Sequence, residues 1–344
     1  MSIGSSNQRA SPDVAGRRVV VVGAGALGTV YGAGLARGGA AVQLLTRRPH
    51  AEAIQAAGCV EVRGVDETWH AVLSADWRPD RIEPADTVIV MTKSHDTARA
   101  LEELPHLARA VEIAVSFQNG IEKDRLLAQW CGEDRVVGGT SMVGATLDCP
   151  GVVSHTLLGT SYIGELPAGN SRRVDALGAA LQAGGLRTVV TAEIRSVEWS
   201  KLVHAGPSMT MTALPRLPFH AALQDPGLAD LYVHLLHEGA AVAAAGPDPI
   251  EFLDLPGMFP VSSYLAAPHA EAVAMVQERG RQMERIGSTN VVTSMMRDVQ
   301  ARRRLELDAI HGFLVREGDR LGVPVPYNRI CLELLLAMDG FPPT

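Results

Sequence analysis

Residues Arg18–Gly34 read RVVVVGAGALGTVYGAG, and the reading of this stretch decides the fold. Val19–Val22 is a short β-branched run, as expected of a strand covered on both faces of a parallel sheet. It leads into Gly23, Gly25 and Gly28, a G-x-G-x-x-G spacing. The first glycine permits the tight turn out of the strand. The second lets a pyrophosphate approach bare backbone, and the third lets the next helix pack close to the strand. That helix is expected over Ala26–Arg37, with Leu27, Tyr31 and Leu35 at helical spacing and Gly38-Gly39 stopping it. Its first N–H groups favour an anion. Gly23, Ala24, Gly25, Ala26, Leu27 and Gly28 are therefore candidate dinucleotide-binding residues.

Composition bounds the rest. With 344 residues, 47% of them apolar, the chain can build two domains with sizeable cores. A formal charge of −7 argues against a nucleic-acid surface. Cys59, Cys131, Cys149 and Cys331 are scattered without a C-x-x-C pair, which reads as a reduced, cytoplasmic protein rather than a disulfide scaffold or zinc site. No apolar run is long enough to span a membrane. Met1–Gly16 is polar, lacks the apolar core of a signal peptide, and reads as a disordered tail.

The second strand is expected over Ala41–Thr46, followed by Arg47-Arg48. An acid near this strand end suits the ribose hydroxyls of NAD, whereas an arginine suits a 2′-phosphate. A guanidinium holds phosphate bidentately. NADP(H) is therefore expected over NAD(H), with Arg47 at the phosphate; the other reading is a pair of solvated loop arginines. A helix near Ala51–Ala57 and a hairpin over Cys59–Asp76 come next. Strands over Ala85–Met91 and Glu112–Phe117 carry Lys93 and Asn119 just past their carboxyl ends, where ligands bind in such sheets. Lys93 reads equally as a solvated loop lysine, and Asn119-Gly120 equally as a turn. Arg135–Thr146, Val152–His155, Ser161–Gly164 and Leu186–Val190 are further expected strands, with a helix over Arg172–Ala183 and His155 in a structural role.

Near residue 190 the pattern changes to long helical repeats, giving an α/β domain over 17–190 and a helical domain over 191–344. Helices are expected over Ser196–Ala205, Ala229–Ala245, Glu271–Ile286, Asp298–Leu321 and Arg329–Met338, with a Pro-rich linker over Gly246–Pro260. His234, His237 and Glu238 have a metal-like spacing but no third partner in sequence, so no metal is expected.

A nicotinamide reductase needs a proton donor for the nascent alkoxide and a group for the substrate anion. Lys201, in VEWSKLVHAG, qualifies if a buried helix face lowers its proton affinity; a snorkelling surface lysine is the alternative. Asp298 and Glu306, eight apart, roughly share a face of the expected long helix, where either can orient Lys201 or sit exposed among Arg302–Arg304.

Taken together, the motifs resemble the ketopantoate reductase (2-dehydropantoate 2-reductase) family over roughly residues 17–335. They are GAGALG at 23–28, an arginine after the second strand, MTK at 91–93, QNG at 118–120, WSKL at 199–202, TAL at 212–214, SMMRD at 294–298, and Glu306. The resemblance implies a Rossmann-type α/β N-terminal domain followed by an all-α C-terminal domain like that of 6-phosphogluconate dehydrogenase. It implies an active site between the two and a homodimer through the helical one. It also implies NADPH as hydride donor to a small carbonyl substrate, a 2-oxo acid, with Lys201 protonating the oxygen. By the same carry-over Glu306 organises the substrate hydroxyl and Lys201, Ser294 assists with the carboxylate, and Asn119 and Lys93 line the cleft.

One pair departs. Four and eight positions after its lysine the family usually has asparagines; here stand Ala205 and Met209, with Pro207 between and Ser208 as a replacement contact. A site that loses its hydroxyl-binding amides loses the preference they confer. The expected substrate is therefore a bulkier or less polar 2-oxo acid. The rival readings are a non-acid ketone or imine, and a non-catalytic NADPH-binding regulator.

Overall fold

The computed structural model describes residues 16–340; the expected tail lies outside them apart from Gly16. The chain divides into two compact units, one running to Gln118 and resuming over Lys123–Arg195, the other comprising Asn119–Glu122 and the chain from Ser196 onward.

The first unit contains β1 (Arg18–Val22), α1 (Ala26–Arg37), β2 (Ala41–Leu45), α2 (Arg48–Ala57), β3 (Val60–Arg63), β4 (Thr68–Ala71), β5 (Ser74–Asp76), β6 (Thr87–Val90), α3 (Thr97–Glu102), α4 (Pro105–Ala110) and β7 (Ile113–Ser116). It continues with α5 (Glu122–Cys131, whose first residue belongs to the second unit), β8 (Val136–Ser141), β9 (Gly144–Cys149), β10 (Val152–Leu157), β11 (Ser161–Glu165), α6 (Arg172–Ala183) and β12 (Thr188–Val190). An eight-stranded sheet runs β12-β11-β8-β7-β6-β1-β2-β5, parallel except where β11 meets β8. The order reverses at β1, between β6 and β2, which is the doubly wound arrangement with its ligand crevice outside the strands' carboxyl ends.

Period-two burial explains why β1 reads as an unbroken apolar run. Val19 and Val21 enter one core with Tyr31 of α1 and Leu177 of α6; Val20 and Val22 enter the other with Leu101, Leu107 and Leu127. Both faces are covered, so no residue of the strand needs to be polar. The expected hairpin forms between β3 and β4, but its last residues leave to pair β5 with β2 in the main sheet. The run Arg135–Thr146 likewise breaks into β8 of the main sheet and β9 of a second, four-stranded sheet, β4-β3-β10-β9. Val60, Val62 and Val153 of that small sheet share the core under α1.

The second unit holds α7 (Ile194–Ala213, whose first two residues belong to the first unit), α8 (Phe219–Gln224), α9 (Pro226–Ala245), α10 (Val261–Ala266), α11 (His269–Arg285), α12 (Ser294–Gln300), α13 (His311–Leu321) and α14 (Pro326–Gly340). Two expectations fail here. The helix carrying Lys201 does not stop near Ala205 but runs on through Pro207. A proline inside a helix costs roughly 3 kcal/mol. Burial offsets it: every residue from Ala205 to Ala213 is buried. The single helix over Asp298–Leu321 does not exist. α12 ends at Gln300, Arg302 takes a left-handed φ of 52°, and α13 starts only at His311. Between them the chain is irregular and then turns, Ile310 N–H donating to Leu307 O at 3.2 Å, with Leu305, Leu307, Ala309 and Ile310 buried and Asp308 exposed. Asp298 and Glu306 therefore share no helix face. Asp298 is buried on α12, and Glu306 is half-buried in the connecting segment, whose Leu305 N–H donates to Asp339 Oδ1 at 3.1 Å.

Candidate active site

The glycine loop closes the carboxyl end of β1. Gly23 takes φ 81°, and a Cβ there would lie 2.6 Å from Thr92 N, so turn and neighbour both exclude a side chain. A Cβ on Gly28 would lie 3.1–3.2 Å from Gly23 O, Met91 Cβ and Val21 Cγ1, the close helix–strand packing expected of it. On Gly25 a Cβ would meet nothing within 4 Å: the space above the loop is open. Gly25 is also the N-cap of α1 and gives its first turn no side-chain cap. Bare N–H groups and a positive helix end facing open space suit an anion.

The neighbouring strand ends are tied to this loop. Gly23 N–H and Ala24 N–H donate to Leu45 O at 2.9 and 3.0 Å, and the Thr46 hydroxyl donates to Ala24 O at 2.7 Å. Arg47 follows at once as the exposed N-cap of α2. Arg48 is held by Glu52 at 2.8 Å and lies over Trp77, whereas Arg47 has no ion-pair partner among the described residues. That contrast marks Arg47, of the two, as available for a phosphate. His50, which the sequence reading passed over, takes the Gly151 N–H on Nδ1 at 2.9 Å and faces the Thr29 hydroxyl at 3.1 Å. Gln118, read from the sequence only as part of the QNG motif, has a structural task of its own. Its amide donates to Thr92 O and, at 2.8 Å, to Thr97 Oγ1, and it accepts from Ser116 Oγ at 2.9 Å. It fastens the ends of β6 and β7 together, next to half-buried Lys93.

The remaining candidates lie in the second unit. Asn119 belongs to it, and Gly120, at φ 86°, is pressed against Ala309 with no room for a Cβ. The Asn119-Gly120 turn thus packs on the segment that carries Glu306. Lys201, Ala205 and Met209 follow at four-residue steps along α7. Lys201 is half-buried; Ala205 and Met209 are each 8% exposed. The Ser294 hydroxyl lies 3.9 Å from Met209 Sδ, and Thr212 Oγ1 lies 2.7 Å from Thr293 Oγ1, which joins the α12 N-terminus to α7. A Cβ on Gly206 would lie 3.2 Å from Ile310 Cγ2, so the Glu306 segment packs on the same helix. Ser208, also on α7, is buried, and its hydroxyl donates to His204 O at 2.8 Å.

One turn from Lys201, His204 Nδ1 is 2.7 Å from the Tyr232 hydroxyl and its ring lies 4.8 Å from that of Phe259. Burial, then the Lys201 and Arg279 charges, push its pKa down to about 4. Fully buried His311, between Asn328 Oδ1 at 2.8 Å and Thr210 Oγ1 at 2.5 Å, is also pushed down by burial. Both rings are neutral in the fold, so the unfolded chain binds more protons once pH falls below the ordinary histidine value. The His204 contribution is complete above about pH 6.5 and drains away towards pH 4, by roughly 1–3 kcal/mol, and His311 adds to it in the same direction. Urea unfolding at pH 7.5 and pH 5 measures this, and His311→Gln is expected to flatten the dependence.

His155 is buried, as a structural role requires, and Glu238 accepts the Tyr327 and Asn328 backbone N–H groups at 2.8 Å each. No described helix is long and apolar enough to cross a membrane, and all four cysteines are free.

An uncapped glycine loop at the switch point of a doubly wound sheet, with an all-α unit carrying the lysine, defines a Rossmann-type oxidoreductase of two units. Residues 19–168 match the model of the ketopantoate reductase PanE/ApbA family, and residues 193–339 match the model of its C-terminal domain. The chain belongs to the ketopantoate reductase family. A 2-dehydropantoate 2-reductase of Halobacterium salinarum is 30% identical over 332 residues, 94% of this chain and all of that one. A PanE/ApbA family ketopantoate reductase from Ralstonia eutropha JMP134 superposes with a TM-score of 0.78 at 26% identity, covering 94% of this chain and 98% of that one. D-mandelate dehydrogenase, solved with NADH and anilino(oxo)acetate, shares the fold with a TM-score of 0.78 at 20% identity over the same shares of the two chains.

Proposed function

We propose that this protein is an NADPH-dependent reductase of a 2-oxo acid whose non-reacting end is apolar. The observation that carries this reading is one stripe of α7, where Lys201 is followed by Ala205 and Met209. The stripe keeps the amine for the proton and drops the amides that hold a hydroxyl. The glycine loop would hold the pyrophosphate on the α1 N-terminus, and Arg47 would hold the 2′-phosphate. Bound NADPH supplies a hydride to the carbonyl carbon. Lys201 gives its proton to the carbonyl oxygen as negative charge develops there. Glu306 orients that amine, Ser294 binds the carboxylate, and Asn119 and Lys93 contact cofactor or substrate. The same reading takes the protein as a cytoplasmic homodimer through the helical unit; exposed Tyr327, Ile330 and Leu334 along one face of α14 support the association.

Initial rates with 2-oxo acids of rising side-chain size, each with NADPH and NADH, test the proposal. Rates are expected to favour an apolar side chain over a hydroxylated one, and NADPH over NADH. Arg47→Ala is expected to raise KM for NADPH by roughly 10–100-fold, the equivalent of about 1.5–3 kcal/mol for a charged hydrogen bond, and to leave NADH little changed. Preference for a ketone or imine without a carboxylate would move the chain to a different substrate class. Binding of NADPH without oxidation by any carbonyl compound would make it a regulator.

A further inference from the structure

Asp230 and His234 stand one turn apart on α9, and His269 is the first residue of α11. Asp230 Oδ1 is 2.7 Å from His269 Nε2, and Asp230 Oδ2 is 3.5 Å from His234 Nε2. One ligand atom from each of the three lies within 4.8 Å of the other two. Two ligands bound tetrahedrally at zinc distances are about 3.3 Å apart, so the side chains need only small rotations to meet one ion. We propose that Asp230, His234 and His269 form a site for a transition-metal dication, Zn²⁺ foremost, that pins the start of α11 to α9.

The donor set suits the ion. Two imidazoles and one carboxylate are borderline ligands that favour Zn²⁺ over Mg²⁺ or Ca²⁺. The His234 ring is already oriented: it stacks on Tyr327 at 4.1 Å and 8°, and Glu238 fixes the Tyr327 backbone. Glu238 is therefore occupied, and the ligands come from four residues before His234 and thirty-five after it. To bind, His269 Nε2 gives up the hydrogen it directs at Asp230, and the ring carries it on Nδ1 instead. Asp230 and His269 are exposed and His234 is half-buried, so water can complete the coordination. None of the three has a part in the proposed turnover.

The test is calorimetric titration of chelator-stripped, untagged protein with ZnCl₂ at pH 8. One equivalent per chain is expected to bind. His234→Ala and His269→Ala are each expected to weaken it by roughly 100-fold, since losing even an outer partner of a ligand costs about 10–100-fold. The Co²⁺ form is expected to show ligand-field bands without thiolate charge transfer, which separates this site from the cysteines. Both variants keep wild-type NADPH turnover and urea midpoints in the absence of metal, since their side chains are partly solvated. Equal zinc uptake by wild type and both variants, or none by wild type, overturns the proposal and leaves a hydrogen-bonded Asp–His cluster.

Discussion

Lys201→Ala is expected to lower kcat for carbonyl reduction by roughly 10²–10⁴-fold, the usual worth of a positioned general acid. NADPH binding is expected to survive, because the glycine loop and Arg47 lie in a different compact unit from Lys201. The amine sits on a rigid helix that stays unbroken through Pro207, and its charge reaches His204 one turn away. Lys201→Arg is expected not to rescue the rate, since a guanidinium does not release a proton at neutral pH. Single-turnover reduction followed at the nicotinamide absorbance separates the chemical step from product release. A variant that keeps the full single-turnover rate would remove Lys201 from the chemistry altogether.

Asp124→Ala is expected to cost about 3–5 kcal/mol of stability without touching any residue assigned to turnover. Lys123 and Asp124, both 4% exposed at the start of α5, form a buried pair at 2.6 Å. Arg195 reaches the second carboxylate oxygen at 2.8 Å. Removing the carboxylate takes from Lys123 and Arg195 the anion they share. Their desolvation was offset by the attraction that is lost. Denaturant midpoints measure the change. A loss below about 1 kcal/mol would place the pair with weak surface ion pairs.

How much of this was legible in the sequence differs from element to element. The β1–α1 unit was legible to within one residue, because a strand buried on both faces, three glycines and a stop at Gly38 act locally and agree. The helix over Arg172–Ala183 was equally clear, with Ser171 capping it from Val174 N–H. The run Arg135–Thr146 was not: alternation identifies strands, but nothing local says which sheet a strand joins. The supposed helix over Asp298–Leu321 failed for a visible reason. Its middle, RLELDAI, alternates apolar with acidic residues, a period that does not fit one face of a helix, and the chain there is irregular and ends in a turn. At the candidate site, the close packing at Gly23 and Gly28 was readable because it follows from spacing. The contacts of Gln118 and His50 were not, since they include partners 21 or more residues away.

The four residues Asn119–Glu122 have a consequence for anyone recombining such proteins. They lie inside the α/β half of the chain yet fold with the helices, Gly120 against Ala309. A chimera cut once near Arg195 would graft the helices while leaving the donor's Asn119 behind. The host's own tetrapeptide would then face a foreign surface, with a mismatch at the one glycine that leaves no slack. Exchanging the helical unit between relatives therefore calls for two transplanted pieces, the tetrapeptide and everything after Arg195.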